Sequence, residues 1–495
     1  MTLGREAQSR RLVLGVVVAG TLGRLVLAWF TGLGVDESYA VAVARPFSLS
    51  YFDHPPLVFW LAGAGSALLG ESAVLRLPFI LLFAGTTWLL FRLGARLVGE
   101  QAGAYGAVAM NLAPFFTLSA GSWIVPDGPL MFSLVAMAYC LTRALDDAEG
   151  GGLGWWVALG VAGGCAGLSK YVAVFAALGV FGFLATSDRR WLARPGPWVA
   201  LGVALVVVSP VLLWNATHGW ASFRFQGGHT GVSSATGFHP AGLLTSVAGQ
   251  ALYFFPWIWL GLIYVLVTGS LAGPNEKSWL LCWLAVGPIV AIAVLALRGH
   301  PGFPHWAAGG YLFLFPLLGG FLARQRENVR RVEMIGSAAA LLVLVAALGA
   351  QAATGAVSEE IPGLFRQGDP TLELVDWREL RPAFGRVGAP GGPAFAGAAD
   401  WMAAGKLAYA LGSVPVLCLG TACHHFPYRL DQKTFAGADG LLVVRPGDDA
   451  ARQTYAHLFR RVDSVETVTI HRGERPAFEL TVLAAHGFSP DAASP

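Results

Sequence analysis

Long apolar runs alternate with short polar intervals from residue 11 to residue 351, and most runs approach the length of a bilayer crossing. A helix needs about 20 mostly apolar residues to span the hydrocarbon core. Runs at 11–30, 75–95, 103–120, 128–143, 154–169, 170–186, 197–214, 241–268, 279–297, 306–323 and 332–351 therefore predict about eleven transmembrane helices. The stretch 155–186 is long for one crossing and short for two, so a break is placed at Gly167-Leu168-Ser169-Lys170. Segment 55–70 opens on Pro55-Pro56, which suits a helix start because the first turn leaves its donors unused. It reads as a helix lying at, or partly entering, the outer interface.

After residue 351 the pattern changes. No run is long enough to span, and charged residues return. Segments 394–399, 402–411 and 414–419 read as strand, helix, strand, with further short strands at 441–445 and 479–483. The expected fold is a mainly α polytopic membrane protein over 1–352, followed by a small α/β domain over 353–495. That domain has no glycine-rich phosphate loop and no Walker pattern, and reads as a lid or interaction domain.

Composition agrees. Hydrophobic residues make up 55% of the chain and charged residues 13%, against about 25% charged in a soluble domain. The net charge of +3 gives no reason to expect a nucleic-acid partner. The basic residues instead report topology. Arg10, Arg11, Arg92, Arg96, Arg143, Arg189, Arg190, Arg324, Arg326, Arg330 and Arg331 are placed in the cytoplasm. The N-terminus is then cytoplasmic, the polar intervals 34–60, 215–240 and 298–305 lie outside, and an odd number of crossings puts the C-terminal domain outside as well. The first run is read as an uncleaved span, because Asp36 and Glu37 separate it from the Ala42-Val43-Ala44 site. Arg24, inside that span, reads as snorkelling or paired with another helix.

Cys140, Cys165 and Cys282 lie in apolar runs and read as core residues. Cys418 and Cys423 are suited to a disulfide if their region faces an oxidising compartment, although nothing in the sequence fixes their geometry. Cys423-His424-His425 fits no familiar zinc spacing.

The chemistry concentrates in the outer intervals. Asp36, Glu37, Asp53 and His54 gather between two apolar segments. A carboxylate cluster beside a bilayer is costly unless it has a task. Arg224, His229, Arg298 and His305 come from other intervals on the same face. Co-location of acids, cations and imidazoles at one membrane surface points to an active site there.

Several short motifs, in order, carry a resemblance. Asp36-Glu37 is followed by Tyr51-Phe52-Asp53-His54-Pro55-Pro56-Leu57, then Leu75-Arg76-Leu77-Pro78, Pro126-Asp127-Gly128-Pro129-Leu130, Gly167-Leu168-Ser169-Lys170-Tyr171 and Pro304-His305-Trp306. Together they resemble the bacterial protein-mannosyltransferase-like family, a group of GT-C membrane glycosyltransferases that includes the aminoarabinose transferase of lipid A. The match covers most of residues 10–350.

The resemblance implies a bacterial inner-membrane enzyme. It would move a sugar from a polyprenyl-phosphate donor to a lipid, glycan or protein acceptor at the outer surface, acting as a monomer among membrane lipids. Asp36 matches the family's catalytic acid/base position, with Glu37 beside it. Asp127 would orient the acceptor or share the base role. A family lysine before Pro-Pro is replaced here by His54, and a neutral imidazole binds anions more weakly than an ammonium. Phosphate contacts are therefore expected from Lys170, Arg224 and Arg298, with His54 in a weakened role. The family implies a divalent metal in many members. Asp53 with His229 would hold one, with magnesium, manganese and zinc left open. Tyr39 and His305 complete the candidate set.

Two other readings stay open at this point. A transporter would place ionisable residues mid-membrane in broken helices and often shows internal repeats; no clear repeat is visible. A glycan ligase with a diphosphate-linked donor would also fit the acidic signature.

Overall fold

The apolar runs are helical. A computed structural model describes residues 2–146, 152–229, 237–274, 276–300, 302–366, 368–387 and 393–490. In chain order the helices are α1 (Thr2–Phe30), α2 (Val35–Ala44), α3 (Leu57–Leu69), α4 (Leu77–Leu97), α5 (Glu100–Leu112), α6 (Asp127–Ala144), α7 (Leu153–Ser169), α8 (Val174–Ser187), α9 (Pro195–Thr217) and α10 (Ala221–His229). They continue as α11 (Pro240–Phe254), α12 (Pro256–Leu271), α13 (Ser278–Leu297), α14 (Ala308–Leu312), α15 (Phe315–Arg324), α16 (Glu327–Thr354), α17 (Ala356–Glu360), α18 (Leu380–Val387), α19 (Trp401–Leu411) and α20 (Asp449–Leu458).

Among the described residues, five helices are long and apolar enough to cross a membrane: Gly4–Phe30, Val74–Leu97, Pro195–Thr217, Ser278–Leu297 and Glu327–Thr354. Two bent pairs raise this to seven if each pair is one span. Several of the runs expected to span are interrupted in the structure. The run 241–268 is divided between α11 and α12, which meet at 110°. Pro256 removes a backbone donor and excludes Phe255 from the helical region, and Phe255 takes φ 64. The run 306–323 bends by 65° between α14 and α15, where Pro316 opens the second helix. The run 103–120 stops being α-helical at Leu112, before Pro114, and continues as a π-helical turn over Phe116–Ala120. The break expected near Lys170 is present: α7 ends at Ser169, Lys170 is extended, and a 3₁₀ turn over Tyr171–Ala173 leads into α8.

The chain forms two compact units. The first comprises Met1–Val26, Leu49–Val58 and Arg76–Val343. Its helices approach closely through small residues, as membrane-embedded helices do where lipid leaves little hydrophobic driving force between them. Gly94 and Gly103 bring α4 against α5, and Gly106 and Gly319 bring α5 against α15; a side chain at any of the four would meet backbone. Its core includes Phe83, Phe116, Phe254, Tyr311 and Phe315.

The second unit is not simply the C-terminal region. It gathers Leu27–Ser48 and Phe59–Leu75 together with Leu344–Pro495. The reason is that α2 packs on α19. Its sheet has strands β1 (Phe395–Ala398), β2 (Val416–Cys418), β3 (Gly440–Val444), β4 (Phe459–Arg472) and β5 (Arg475–Phe488), in the order β2-β1-β3-β5-β4. β1 pairs parallel with β2, Ala396 opposite Val416, and with β3, Ala396 opposite Leu441. A parallel pair needs a crossover, and α19 supplies it between β1 and β2. β3, β5 and β4 are antiparallel neighbours, with Leu442 opposite Leu483. Phe395, Leu442, Tyr455, Phe459, Leu483 and Phe488 form the core beneath. Cys418 and Cys423 are joined by a disulfide, which settles the pairing the sequence left open.

Candidate active site

In the first unit the polar residues meet at helix ends. Asp127 is the first residue of α6, following Pro126, and is buried. The chain is extended at Lys170, between α7 and the 3₁₀ turn, and this frees the side chain from either helix face. Its ammonium donates to both carboxylate oxygens of Asp127, at 3.0 and 3.1 Å. The helix N-terminus adds a favourable field for the carboxylate. His305 and His54 are the other titratable neighbours of Asp127. His305 lies in the 3₁₀ turn Pro304–Ala307 and stacks on Phe115 at 5.6 Å.

Asp53 reaches the same neighbourhood from the 49–58 segment and is buried. The Gln226 side chain donates to the Asp53 carbonyl, and Phe52 packs on Phe225 at 4.7 Å, so α10 holds this segment. α10 is in turn fixed to the Lys170 break. The Tyr171 and Ser222 hydroxyls share a hydrogen bond of 2.6 Å, and Asn215 accepts from the Ser222 N–H at 3.1 Å. The structure therefore unites Asp53, His54, Asp127, Lys170 and His305 in one unit. Residues missed at the level of sequence are those that brace the cluster: Asn215, Ser222 and Gln226. Their signal is weak, because an amide or hydroxyl near a helix end is common anywhere.

Arg224 and Arg298 are exposed, and among the described contacts none joins them to the Asp127–Lys170 pair. The His229 side chain lies outside the described residues. Among the described residues no three His, Cys, Asp or Glu side chains are grouped to hold a metal ion.

Asp36, Glu37 and Tyr39 belong to the second unit. Asp36 and Glu37 open α2, and the two neighbours face different surroundings. Asp36 is exposed, in the first turn of α2. Glu37 is buried, and its carboxylate accepts the Gly34 N–H at 2.7 Å. That is the reciprocal half of a capping box. Tyr39 is buried against Phe59, Trp401 and Phe426, and its hydroxyl accepts from the His425 N–H at 3.0 Å. Of the two neighbours it is Glu37 that lies buried, with the Gly34 N–H on its carboxylate.

Deeper in the first unit, Arg24 is buried and no longer reads as snorkelling. Its guanidinium donates to Asn111 Oδ1 and Thr117 Oγ1, each at 3.0 Å, and lies 4.4 Å from the Phe83 ring centroid. The pairing is with helix-end acceptors, of the kind expected for a helix-paired arginine.

Comparison with known proteins places these observations among relatives. Residues 53–214 match the family model described as dolichyl-phosphate-mannose-protein mannosyltransferase. The chain is 26% identical over 313 residues to the lipid A galacturonosyltransferase RgtD of Rhizobium johnstonii, an alignment covering 61% of this chain and 64% of that protein. The chain thus spans a little under two thirds of the length of that relative. The fold is similar to crystal structures of ArnT from Cupriavidus metallidurans. With undecaprenyl phosphate bound, the TM-score is 0.65 at 18% identity, covering 97% of this chain and 99% of that one. In the apo state the TM-score is 0.63 at 17% identity.

Proposed function

We propose that this chain, a multi-pass membrane protein with the ArnT-like GT-C fold, is a glycosyltransferase that takes its sugar from a polyprenyl-phosphate donor. The acceptor is a lipid, glycan or protein outside the inner membrane. The observation that carries this reading is the buried Lys170–Asp127 pair at a helix break, with Asp53, His54 and His305 around it. A transporter would not need the GT-C architecture. The RgtD relative is by its name a lipid A galacturonosyltransferase, which supports the envelope setting, and one ArnT structure is bound to undecaprenyl phosphate, which supports the choice of donor.

In the proposed reaction the polyprenyl phosphate is the leaving group, and negative charge grows on its oxygen as the glycosidic bond breaks. Fixed cations stabilise such charge best when already in place. Lys170 is held in place by Asp127 and retains a further ammonium donor direction for a phosphate oxygen. His54 and His305 can each offer one ring N–H donor as neutral imidazoles. Asp36 accepts the proton of the acceptor hydroxyl, which is otherwise a poor nucleophile. Asp127 then serves chiefly to set the Lys170 position, and Glu37 to cap the helix that carries Asp36.

The C-terminal region is proposed to be extracytoplasmic, with the N-terminus inside. The arginine distribution supports this, and so does the Cys418–Cys423 disulfide, since such bonds persist in oxidising compartments. The direct test is transfer of radiolabelled sugar from an undecaprenyl-phosphate donor by the purified protein in detergent, beside mass spectrometry of envelope glycans from a deletion strain. No transfer from any polyprenyl-phosphate sugar, together with unchanged envelope glycans, would sink the reading.

A further inference from the structure

The helix that carries Asp36 is anchored by residues far away in sequence. Gly405 on α19 sits against the Tyr39 backbone so closely that a Cβ there would stand 2.9 Å from Tyr39 Cα. The next residue, Lys406, is 3% exposed, and its ammonium donates to the Leu33 carbonyl just before α2 and to the Val375 carbonyl at 3.0 Å. At the far end of α2, the Arg45 guanidinium donates to the carbonyls of Ala408 and Gly412, which close α19, and pairs with Glu71. Both ends of α2 are thereby tied to α19.

The middle of α2 is tied to a loop. Tyr39 lies edge-on to Trp401 at 5.2 Å and to His424 at 5.9 Å, and His424 stacks on Trp401 at 4.6 Å. His424 has φ 46, in the left-handed region that residues with a Cβ adopt uncommonly. The disulfide from Cys418 at the end of β2 to Cys423 closes the chain immediately before it. The N–H of the following residue, His425, donates to the Tyr39 hydroxyl. Tyr39 stands three residues after Asp36, on the same side of the helix.

We infer that α19 and the disulfide-closed loop form the platform that positions Asp36, so that Lys406, Tyr39 and the Cys418–Cys423 bond are positioning residues for the transfer step. This assigns the C-terminal region a part in catalysis, where the sequence alone suggested a lid or an interaction domain. The inference rests on the function proposed above for Asp36.

The test uses the full-length protein in detergent and compares Cys418→Ala/Cys423→Ala and Tyr39→Phe with the parent. Two quantities are read: amide hydrogen–deuterium exchange over residues 33–44, and kcat and KM for transfer from undecaprenyl-phosphate sugar. Misplacing a catalytic group by about 1 Å can cost about 100-fold. The double variant should therefore exchange faster over 33–44 and lose about tenfold or more in kcat, with the donor KM within about twofold. Tyr39→Phe removes one hydroxyl and should give a smaller loss of the same kind; it decides the matter if the double variant does not fold. Unchanged exchange in both variants overturns the platform. Faster exchange with kcat intact overturns the positioning role. If the parent transfers from no polyprenyl-phosphate donor, the exchange measurement still decides the platform, and the proposed function is what fails.

Discussion

The Lys170 ammonium, at the break between α7 and α8, lies 3.0 and 3.1 Å from the two carboxylate oxygens of Asp127 at the start of α6. Both side chains are largely buried, so neither charge is cheap to keep alone. Breaking a buried pair from one side typically costs about 3–5 kcal/mol, because the remaining charge is left without compensation. Lys170→Met should therefore lower the thermal midpoint and abolish transfer. Adding Asp127→Asn removes the stranded charge and should recover most of the midpoint without recovering transfer. A double variant working within about threefold of the parent, a loss below about 1 kcal/mol, would show the pair to be structural only.

Asp36→Asn keeps size and hydrogen-bonding shape but cannot take a proton. General-base catalysis contributes about 10²–10⁴ in rate, so at least a hundredfold loss in kcat is expected. Donor affinity should change little, since the base acts mainly in the transition state. The check is radiolabelled transfer beside a donor-binding measurement. Glu37→Gln is the informative contrast. Its amide oxygen still accepts the Gly34 N–H, so it should retain most activity if Glu37 is a cap only.

Arg24 offers a prediction about stability. Its guanidinium bonds Asn111 and Thr117, and through them holds the π-helical turn Phe116–Ala120 that leads towards Asp127. Hydrogen bonds from a charged donor contribute about 1.5–3 kcal/mol each. Arg24→Met should lower the midpoint markedly. Gly121→Ala should do the same for another reason: its Cβ would stand 2.5 Å from the Phe116 carbonyl oxygen and 2.8 Å from Arg24 Nε. Thermal unfolding in detergent checks both, and a Gly121→Ala protein as stable as the parent would contradict this packing.

Asp369 should be one source of acid sensitivity in the second unit. Burial alone would raise the Asp369 carboxyl, but hydrogen bonds from Thr371, Arg472 and Gln351 together hold it below its ordinary value. The Arg472 guanidinium donates to it at 2.7 Å. A depressed carboxyl stabilises the fold fully above the unfolded pKa of about 3.9, and that contribution disappears as pH falls through the folded value. Asp369→Asn should be less stable than the parent at neutral pH and should show a shallower loss below about pH 4. Midpoints measured from pH 7 down to pH 3 decide it; parallel curves for the two proteins would exclude Asp369 as the source.

The sequence alone determined the features that follow from local chemistry. Apolar length gave the membrane helices, because a bilayer accepts little else. The break at Lys170 was legible because a cation interrupts an apolar run there, and the strand–helix–strand of β1, α19 and β2 because its pattern switches period twice. The acids were legible as candidates because charge is rare in this chain. Other features depended on partners distant in sequence. Pro256 marked a possible kink, but the 110° turn at Phe255 depends on what packs around it. The long hairpin of β4 and β5 was missed beyond 479–483 because much of it faces water and its charges mask the strand pattern. Lys406 carried a signal, being the lone charge in an apolar helix, yet its acceptors at Leu33 and Val375 come from distant segments. The same holds for the neighbours Asp36 and Glu37: Asp36 in the first turn is exposed, whereas α2 from Glu37 to Ala44 is buried through packing that includes α19.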